Sequence, residues 1–480
     1  MNKALLRDLK KLLGPNGVLH KPDDLQLYEY DGSVETGKPN YVVFPRSTRD
    51  VIGIVQLANR YEIPLVGRGA GTGLSGGAIA RIGGVVTVFS KMNRILEVDA
   101  ENQRARVQPG VVNSDLSVAV AHTGLHFAPD PSSQKACTIG GNVSENSGGP
   151  HTLAYGVTTN HVLALEIVLP SGELIRIGNS SLDPIGYDLT GLFVGSEGTF
   201  GLVTEITVKL ARLPEVTKTL LAVFDSVDDA TETVVEITAR GITAAACEMM
   251  DGWTIRAVEA YVHAGFPVDC VAVLLIDVDG LREEAEAHAA EVAEVCQLHH
   301  AREVRVARDA RERELLWKGR KNAFGAVGRI SPTYYTQDGV IPRTKLPPTL
   351  QRISEIGRKY GFEIGNIFHA GDGNLHPIIP FDARSQRQFR NAVAAADEII
   401  EWCIQAGGSI TGEHGVGMEK DRLMPLLFSE TDLELMRRVR NIFNPNGLLN
   451  PEKVLPTAKG CGEIHVRPAP GMTPLGDATV

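Results

Sequence analysis

The sequence lacks any cysteine pattern that would hold a metal or a cluster. Its six cysteines are scattered between Cys137 and Cys461, and none forms a C-x-x-C pair. Iron–sulfur clusters and cysteine-type zinc sites need closely spaced thiolates, so neither is expected here. Disulfide frameworks are typical of small secreted chains, so the sequence favours a reduced, cytoplasmic protein.

Long apolar runs are also missing, so no transmembrane segment is predicted. The longest runs, such as VAVLLI at 271–276, fall far short of the roughly 20 residues that span a bilayer. Residues 1–20 carry Lys and Arg among their apolar positions, which predicts an amphipathic first helix rather than a secretory signal; a membrane-surface anchor is the alternative. The net charge of -10 argues against nucleic-acid partners.

The 480 residues predict two or three domains with buried cores. Residues 47–64 are typical of a helix capped by Ser47. β-rich runs predict a strand at 85–90 and hairpins at 95–110 and 163–178.

The pattern changes near residue 216, where longer helical stretches begin to separate apolar strands. We therefore predict a first domain over 1–216 and a second over 217–410. Residues 457–480 lack periodicity, which predicts a flexible tail.

The most glycine-rich stretch is PLVGRGAGTGLSGGA at 64–78. Gly71, Gly73 and Gly76 satisfy G-x-G-x-x-G, but a Gly-Gly pair and a strand follow, whereas a Rossmann loop opens a helix directly. Backbone N–H groups free of side chains form a nest for anionic oxygens. The stretch is therefore either a pyrophosphate nest or a structural glycine loop, and the pattern alone leaves both interpretations open.

Two further segments, 129–162 and 191–210, are again rich in Gly, Ser, Thr and Asn. Together the three segments suit a large ligand with a diphosphate and a polar ring system. In order and spacing they resemble the FAD-binding domain of the vanillyl-alcohol oxidase / p-cresol methylhydroxylase superfamily. The resemblance implies an α+β fold class, with a two-subdomain FAD-binding domain and an α+β substrate domain built on an antiparallel sheet.

The resemblance also implies the FAD contacts. In the first segment they are Gly67, Arg68, Gly69, Gly71, Thr72, Gly73, Ser75 and Gly76. In the second they are Pro129, Asp130, Ser132, Thr138, Gly141, Asn142, Asn146, Gly148, Gly149, Gly156 and Thr158. Asn450 matches a C-terminal segment, 411–456, that returns to the flavin. Some superfamily members attach FAD to a histidine of the first segment, which has none here, so non-covalent FAD is expected.

HAGDGNLH, from His369 to His376, predicts paired ligands on a hairpin. Asp372-Gly373 is a preferred two-residue turn, which would place the two histidines opposite each other with Cβ atoms roughly 5 Å apart. Two converging imidazoles suit one metal ion, and two unrelated histidines are the alternative.

A second stretch, GGSITGEHGVGMEK at 407–420, presents Glu413 and His414. Two histidines and one carboxylate form a facial metal site with positions open for substrate. His414 would lie beside the ion as a base whose pKa the ion influences.

The C-terminal half resembles the FAD-linked 2-hydroxy-acid dehydrogenases, and within them the glycolate-oxidising members. The motifs that carry this likeness are residues 317–343, HAGDGNLHP, GEHGVGMEK and residues 443–456. The roles that the resemblance implies are metal ligands at His369, His376 and Glu413, a base at His414, and a substrate-carboxylate ligand at Arg320. Zinc, iron and manganese all suit these ligands. For Arg320, a surface or ion-paired arginine is the alternative.

The implied activity is oxidation of a small 2-hydroxy acid, glycolate or D-lactate, by hydride transfer to flavin N5. The 2-hydroxyglutarate enzymes carry Asn and Lys where this chain has Ile378 and Thr336, which makes a dicarboxylate substrate less favoured. Such a dehydrogenase remains an alternative, as does a non-catalytic FAD-binding subunit. A metal-dependent hydrolase would leave the glycine segments unexplained.

Reoxidation of the flavin requires an electron acceptor, because the chain has no cysteine pattern for its own relay. A partner subunit, a quinone or a cytochrome would serve. The resemblance implies a second flavin-type subunit and an iron–sulfur subunit, at a peripheral position on the inner membrane face.

Overall fold

A computed structural model describes residues 2–179, 186–331 and 333–456. The predicted tail, 457–480, lies outside the described residues. The strands are β1 Val18–Leu19, β2 Tyr41–Val43, β3 Leu65–Arg68, β4 Val85–Val88, β5 Ile95–Asp99, β6 Arg104–Val107, β7 Leu125–His126, β8 Val162–Val168, β9 Leu174–Gly178, β10 Leu202–Lys209, β11 Ala211–Arg212, β12 Val216–Phe224, β13 Ala246–Asp251, β14 Ala272–Gly280, β15 Glu303–Val306, β16 Thr333–Thr336, β17 Gly339–Val340, β18 Gly365–His369, β19 Asn374–Leu375 and β20 Pro377–Phe381.

Helices separate most of these strands. They are α1 Lys3–Leu13, α2 Pro22–Leu25, α3 Thr48–Tyr61, α4 Asn113–Val120, α5 Ile139–Glu145, α6 Thr152–Tyr155, α7 Leu189–Phe193, α8 Val227–Ala239, α9 Gly252–Val262, α10 Arg282–Leu298, α11 Ala310–Lys321, α12 Ala323–Val327, α13 Leu346–Tyr360, α14 Gln386–Gln405, α15 Met424–Leu427 and α16 Glu430–Phe443. Among the residues that the structure describes, no helix is long and apolar enough to cross a membrane.

The first subdomain is a four-stranded sheet in the order β1-β2-β4-β3, with β2, β4 and β3 parallel. Helix α3 is the crossover that two parallel strands require. It begins as predicted, because the Ser47 hydroxyl accepts the Asp50 N–H at 3.2 Å. The predicted first helix is confirmed as α1, and it buries Leu5 and Leu9 against α3 and this sheet.

The second subdomain is a five-stranded antiparallel sheet in the order β5-β6-β10-β8-β9. The two hairpins predicted from sequence are confirmed as the pairs β5–β6 and β8–β9. Strand β10 alternates buried and partly buried residues along its whole length, which is the pattern of a strand with one face in a core. That core includes Ile139 and Val143 of α5, so the second glycine-rich segment is anchored to this sheet.

The remaining strands form a nine-stranded antiparallel sheet covered by helices on both faces. Its main path is β15-β12-β14-β13-β18-β19-β17, with β20 beside β18 and β16 beside β20. Side chains alternate between faces along β12: Leu220, Ala222 and Phe224 pack in the core with α8, α10 and α13, and Leu221 and Val223 pack in the core with α9 and α11. The strands before the nine-stranded sheet end with β11, which pairs with β7 in a separate two-stranded sheet and ends at Arg212. The predicted domain limits themselves stay predictions.

The histidine hairpin has a different register from the predicted one. His369 pairs with Asn374, and the Gly373 N–H donates to the His369 carbonyl at 3.1 Å, so the loop has four residues rather than two. A two-residue type I′ turn needs positive φ at both central positions, and only Gly373 (φ 79°) has it, not Asp372. His376 therefore follows β19 instead of lying directly opposite His369.

The C-terminal segment returns to the first subdomain. The Leu65 N–H donates to the Leu448 carbonyl at 2.9 Å, and the Asn450 N–H donates to the Leu65 carbonyl at 2.8 Å. The fully buried Lys453 ammonium donates to the carbonyls of Gly76 and Ile79 at 2.7 and 2.6 Å. The glycine loop is thus held in place by residues almost 400 positions away.

Candidate active site

A cavity of about 400 Å³ is lined both by the glycine-rich segments and by the histidine motifs. The first segment contributes residues 67–74, Gly77 and Ala78, and part of the second and third segments continues the same wall. Lys321, Phe324 and Tyr334 come from the nine-stranded half. The same half contributes His376, Glu413 and His414, whereas the third predicted metal ligand, His369, is outside the lining. A ligand bound on the glycine wall would therefore meet the histidines within one enclosure.

Half of the predicted FAD contacts line this cavity. They are Gly67, Arg68, Gly69, Gly71, Thr72, Gly73, Ser132, Thr138, Gly141 and Asn142. The others lie outside the lining: Ser75, Gly76, Pro129, Asp130, Asn146, Gly148, Gly149, Gly156, Thr158 and Asn450. Several of these support the lining residues instead.

Asn450 shows this supporting role most clearly. Its buried amide donates to the Gly77 carbonyl at 3.0 Å and to the Glu197 carbonyl at 2.7 Å, so it joins the first and third glycine segments. Gly148 has a different role, because a Cβ there would lie 3.1 Å from Oε2 of Glu413. The second segment thus packs directly against the predicted metal site, and a side chain at this position would have to displace the Glu413 carboxylate.

The glycine loop fits an anionic ligand. Gly71 and Gly76 have φ of 73° and 78°, a backbone conformation that favours glycine. Arg68 is 6% exposed and lines the cavity, and its Nη1 has no hydrogen-bond partner in the described structure. An unpaired guanidinium nitrogen in a buried wall is costly unless a ligand meets it, and a pyrophosphate would do so.

Two buried acids in the cavity wall were not predicted. Glu145 and Glu197 both line the cavity, and Glu197 accepts the N–H groups of Val416 and Gly417 at 2.7 and 2.6 Å. Burial raises the pKa of both carboxyls, and the nearby Glu197 raises the pKa of Glu145 further. A raised pKa shifts both acids toward the neutral form, which repels an anionic cofactor less than a carboxylate does. The signal in the sequence was a Glu next to glycine, serine or asparagine within each of two glycine-rich segments.

The predicted metal ligands converge. Oε1 of Glu413 lies 3.2 Å from Nε2 of His369 and 3.1 Å from Nε2 of His376. The three ligand atoms all lie within 4.8 Å of one another. Burial alone would raise the pKa of Glu413, but His369 and His376 outweigh it and hold the pKa well below its ordinary value.

The opposite ring nitrogens are held by hydrogen bonds that orient both histidines. Nδ1 of His369 lies 2.7 Å from Oε1 of the buried Glu248, and Nδ1 of His376 lies 3.3 Å from the Gln337 carbonyl. When each Nδ1–H donates there, each Nε2 lone pair is free for a metal. Nε2 of His376 is buried and makes no hydrogen bond within the described residues, so this donor set fits a divalent cation.

Asp338 was missed by the sequence analysis, although it shapes the turn that carries Glu413. Its carboxylate accepts the N–H groups of Gly412, Glu413 and His414 and the Thr411 hydroxyl, at 2.5–3.3 Å. Asp338, His376 and His414 also lie close enough to form a second metal set. The Asp338 oxygens are already occupied by these donors, so we assign this carboxylate to holding the turn.

His414 lies beside the cluster. Its ring stacks on that of His376, with centroids 4.9 Å apart and planes 8° apart. Its Nε2 is 3.8 Å from Oε1 of Glu413, which is longer than the distances to the two predicted ligands. Burial lowers the pKa of His414 to about 4, so its ring is neutral at pH 7.

Arg320 is not where the substrate-carboxylate hypothesis would place it. It is 1% exposed, lies outside the cavity lining and forms a buried ion pair with Glu248. Glu248 in turn holds His369, so the guanidinium lies behind a predicted metal ligand. The ion-paired alternative describes Arg320 better than a free carboxylate ligand does.

Two family models match the chain. Residues 39–178 match the FAD binding domain, and residues 213–454 match the C-terminal domain of FAD linked oxidases. The chain therefore belongs to the FAD-linked oxidases, and it is an oxidoreductase with an FAD-binding domain. The recognition of a flavoprotein from its three glycine segments is confirmed.

Individual relatives agree with this family. The chain is 46% identical over 448 residues to the glycolate oxidase subunit GlcD of Escherichia coli (strain K12), covering 93% of this chain and 90% of that protein. It is 32% identical over 455 residues to the D-lactate dehydrogenase of Anaerostipes hadrus, covering 92% and 96%.

A solved structure confirms the predicted fold class. The chain superimposes on p-cresol methylhydroxylase with substrate bound at a TM-score of 0.80, with 18% identity, covering 94% of this chain and 96% of that one. At this identity the likeness shows the fold alone, and that fold is the one that the sequence resemblance implied.

Proposed function

We propose that this chain oxidises a small 2-hydroxy acid, glycolate or D-lactate, to the 2-oxo acid, with non-covalent FAD and a divalent metal. The observation that carries the proposal is the shared cavity, whose lining joins the glycine loop to His376, Glu413 and His414. The names of the two relatives, a glycolate oxidase subunit and a D-lactate dehydrogenase, point to the same class of substrate.

FAD supplies an acceptor for the Cα hydride at flavin N5, and a divalent ion supplies positive charge that favours the alkoxide of the substrate. The protein residues provide binding and proton transfer. His369, His376 and Glu413 hold the ion. His414, neutral and next to the ligands, accepts the hydroxyl proton at Nε2.

Glu248 and Arg320 act together behind the metal ligands. The Glu248 carboxylate receives Nδ1–H of His369 on one oxygen and pairs with Arg320 through the other. A carboxylate–histidine pair of this kind fixes the tautomer and orientation of a ligating imidazole. We propose that Arg320 keeps the carboxylate of Glu248 charged, although both side chains are buried.

The two residues that differ from the 2-hydroxyglutarate enzymes, Thr336 and Ile378, lie together, and both support a small substrate. Thr336 and Ile378 are paired across β16 and β20, and both are buried. Ile378 belongs to the apolar core with α9 and α11. A second substrate carboxylate would need a charged or hydrogen-bonding partner in a buried pocket. Neither Thr336 nor Ile378 provides a charge or an amide for it.

The same proposal includes a partner that accepts electrons. The five described cysteines are buried and unpaired, and none is within a metal-ligating group in the described structure. An iron–sulfur partner subunit or a quinone would reoxidise the flavin, at a cytoplasmic position on or near the inner membrane face. The relative from Escherichia coli is itself called a subunit.

The substrate class is tested by turnover of the FAD-loaded protein with an artificial electron-accepting dye. We expect glycolate or D-lactate to be oxidised with a kcat/KM at least about tenfold above that of D-2-hydroxyglutarate, because an unpaired second carboxylate is costly to bury. L-lactate is the stereochemical control. A clear preference for D-2-hydroxyglutarate would contradict the proposed substrate, and turnover of none of these acids would contradict the proposed reaction.

A further inference from the structure

Lys321 is the one cation of the nine-stranded half that lines the cavity in the described structure; the other lining cation, Arg68, is in the glycine loop. It is the last residue of α11, its side chain is 23% exposed, and Phe324 and Tyr334 line the cavity with it. It therefore lines the same cavity as Glu413 and His414.

The neighbouring arginine differs in its surroundings. Successive residues of an α-helix point about 100° apart, so Arg320 and Lys321 face different environments. Arg320 is buried against Glu248 outside the cavity, whereas Lys321 reaches the cavity. Of these two adjacent cations, Lys321 is therefore the one that can contact an anion bound in the cavity.

The Lys321 ammonium is held by one hydrogen bond and keeps further N–H donors for a ligand. Its Nζ lies 3.0 Å from Oδ2 of Asp130, the one hydrogen-bond partner that the described structure gives it. An ammonium has three N–H donors, so two remain for a ligand. The same Asp130 oxygen also receives Nδ1 of His151 at 2.9 Å, and His151 stacks on Trp317 with ring centroids 5.4 Å apart.

The charge around Asp130 favours an additional anion. Burial alone would lower the pKa of His151, but Asp130 outweighs it and raises the pKa above its ordinary value. Asp130 thus has two basic partners, Lys321 and His151, and these three groups carry an excess of positive charge whenever both partners are protonated. A carboxylate placed near Lys321 would balance that excess.

We infer that Lys321 binds the carboxylate of the 2-hydroxy acid through its free N–H donors, and that Asp130 and the Trp317 ring fix the ammonium in position. This inference rests on the proposed function, and it assigns to Lys321 the contact that the sequence resemblance gave to Arg320. Such a contact is present in both ground and transition states, so it contributes mainly to KM.

The test compares Lys321→Gln with the wild type, both loaded with FAD. The Gln side chain keeps N–H donors and most of the length of Lys, so the substitution mainly removes the charge. We expect the KM for glycolate or D-lactate to rise about 10- to 100-fold, as for loss of a charge-assisted hydrogen bond, with kcat within about threefold. Lys318→Gln is the matched control, because Lys318 is exposed on the same helix, and its KM should be unchanged.

A KM for Lys321→Gln within about threefold of the wild type, or a loss confined to kcat, overturns the inference. If Lys321→Gln fails to retain FAD, Lys321→Arg decides: a KM within about threefold of the wild type supports the inference, and a rise of tenfold or more overturns it. A wild-type protein that oxidises neither acid overturns the proposed function and this inference together. Normal wild-type turnover with an insensitive Lys321 variant overturns the inference alone.

Discussion

Replacing His414 with alanine is expected to leave FAD bound and to lower kcat by about 10²–10⁴-fold, the usual contribution of a general base. The ring is neutral at pH 7 and lies next to Glu413, so it is the group placed to accept the substrate hydroxyl proton. The measurement is dye-coupled turnover of the FAD-loaded variant, with flavin content taken from its visible spectrum.

The control for this variant is His122→Ala, because His122 is exposed and its ring Nδ1 hydrogen-bonds to the Ala119 carbonyl of its own helix turn at 3.0 Å. It should turn over as the wild type does. Added imidazole should restore part of the turnover of His414→Ala, since the substitution leaves space beside His376, which stacks on the missing ring. Near-normal kcat in His414→Ala without imidazole would contradict the assignment of the base.

Replacing Glu413 with glutamine is expected to abolish stable metal binding and turnover while leaving the fold intact. The amide keeps the size of the side chain but removes the anionic ligand between His369 and His376. Outer-shell partners typically contribute 10–100-fold to metal affinity, and loss of a direct ligand should exceed that. The measurement is metal content by elemental analysis after gel filtration.

Glu419→Gln provides the matched control for Glu413→Gln. Glu419 is also buried in the same C-terminal segment, but it contacts Gln337 at 3.3 Å and is absent from the metal-ligating groups of the described structure. Burial raises the pKa of Glu419 to about 7, so a neutral amide is a mild change there. We expect wild-type metal content in this variant. Equal metal content in the Glu413 and Glu419 variants would refute the ligand role of Glu413.

Local patterns predicted the elements of the fold well. The cap at Ser47, the hairpins around β5–β6 and β8–β9, and the strand after the glycine loop all depend on residues close in sequence. The register of the histidine hairpin was wrong for a physical reason: Asp372 does not adopt the positive φ that a two-residue turn requires, and Gly373 alone does. The convergence of His369 and His376 survives this shift, because their rings still lie 5.0 Å apart.

The parts of the site that the sequence did not predict depend on contacts between distant segments. Glu248 reaches His369 across the pairing of β13 with β18, and Asp338 reaches the turn at Glu413 from 75 residues away. No periodicity or motif in the sequence predicts either contact. The choice between Arg320 and Lys321 also required the structure, because adjacent residues of one helix carry the same charge and differ only in the direction they face.

In the proposed function, the glycine wall and the histidine cluster form one site for oxidising a 2-hydroxy acid. The most direct test is the visible spectrum of the FAD- and metal-loaded protein under anaerobic conditions, before and after addition of glycolate or D-lactate. We expect a flavin band that bleaches with at least one of the two acids, without any partner protein. A protein that takes up no flavin, or a flavin band that both acids leave unchanged in metal-loaded protein, would contradict it.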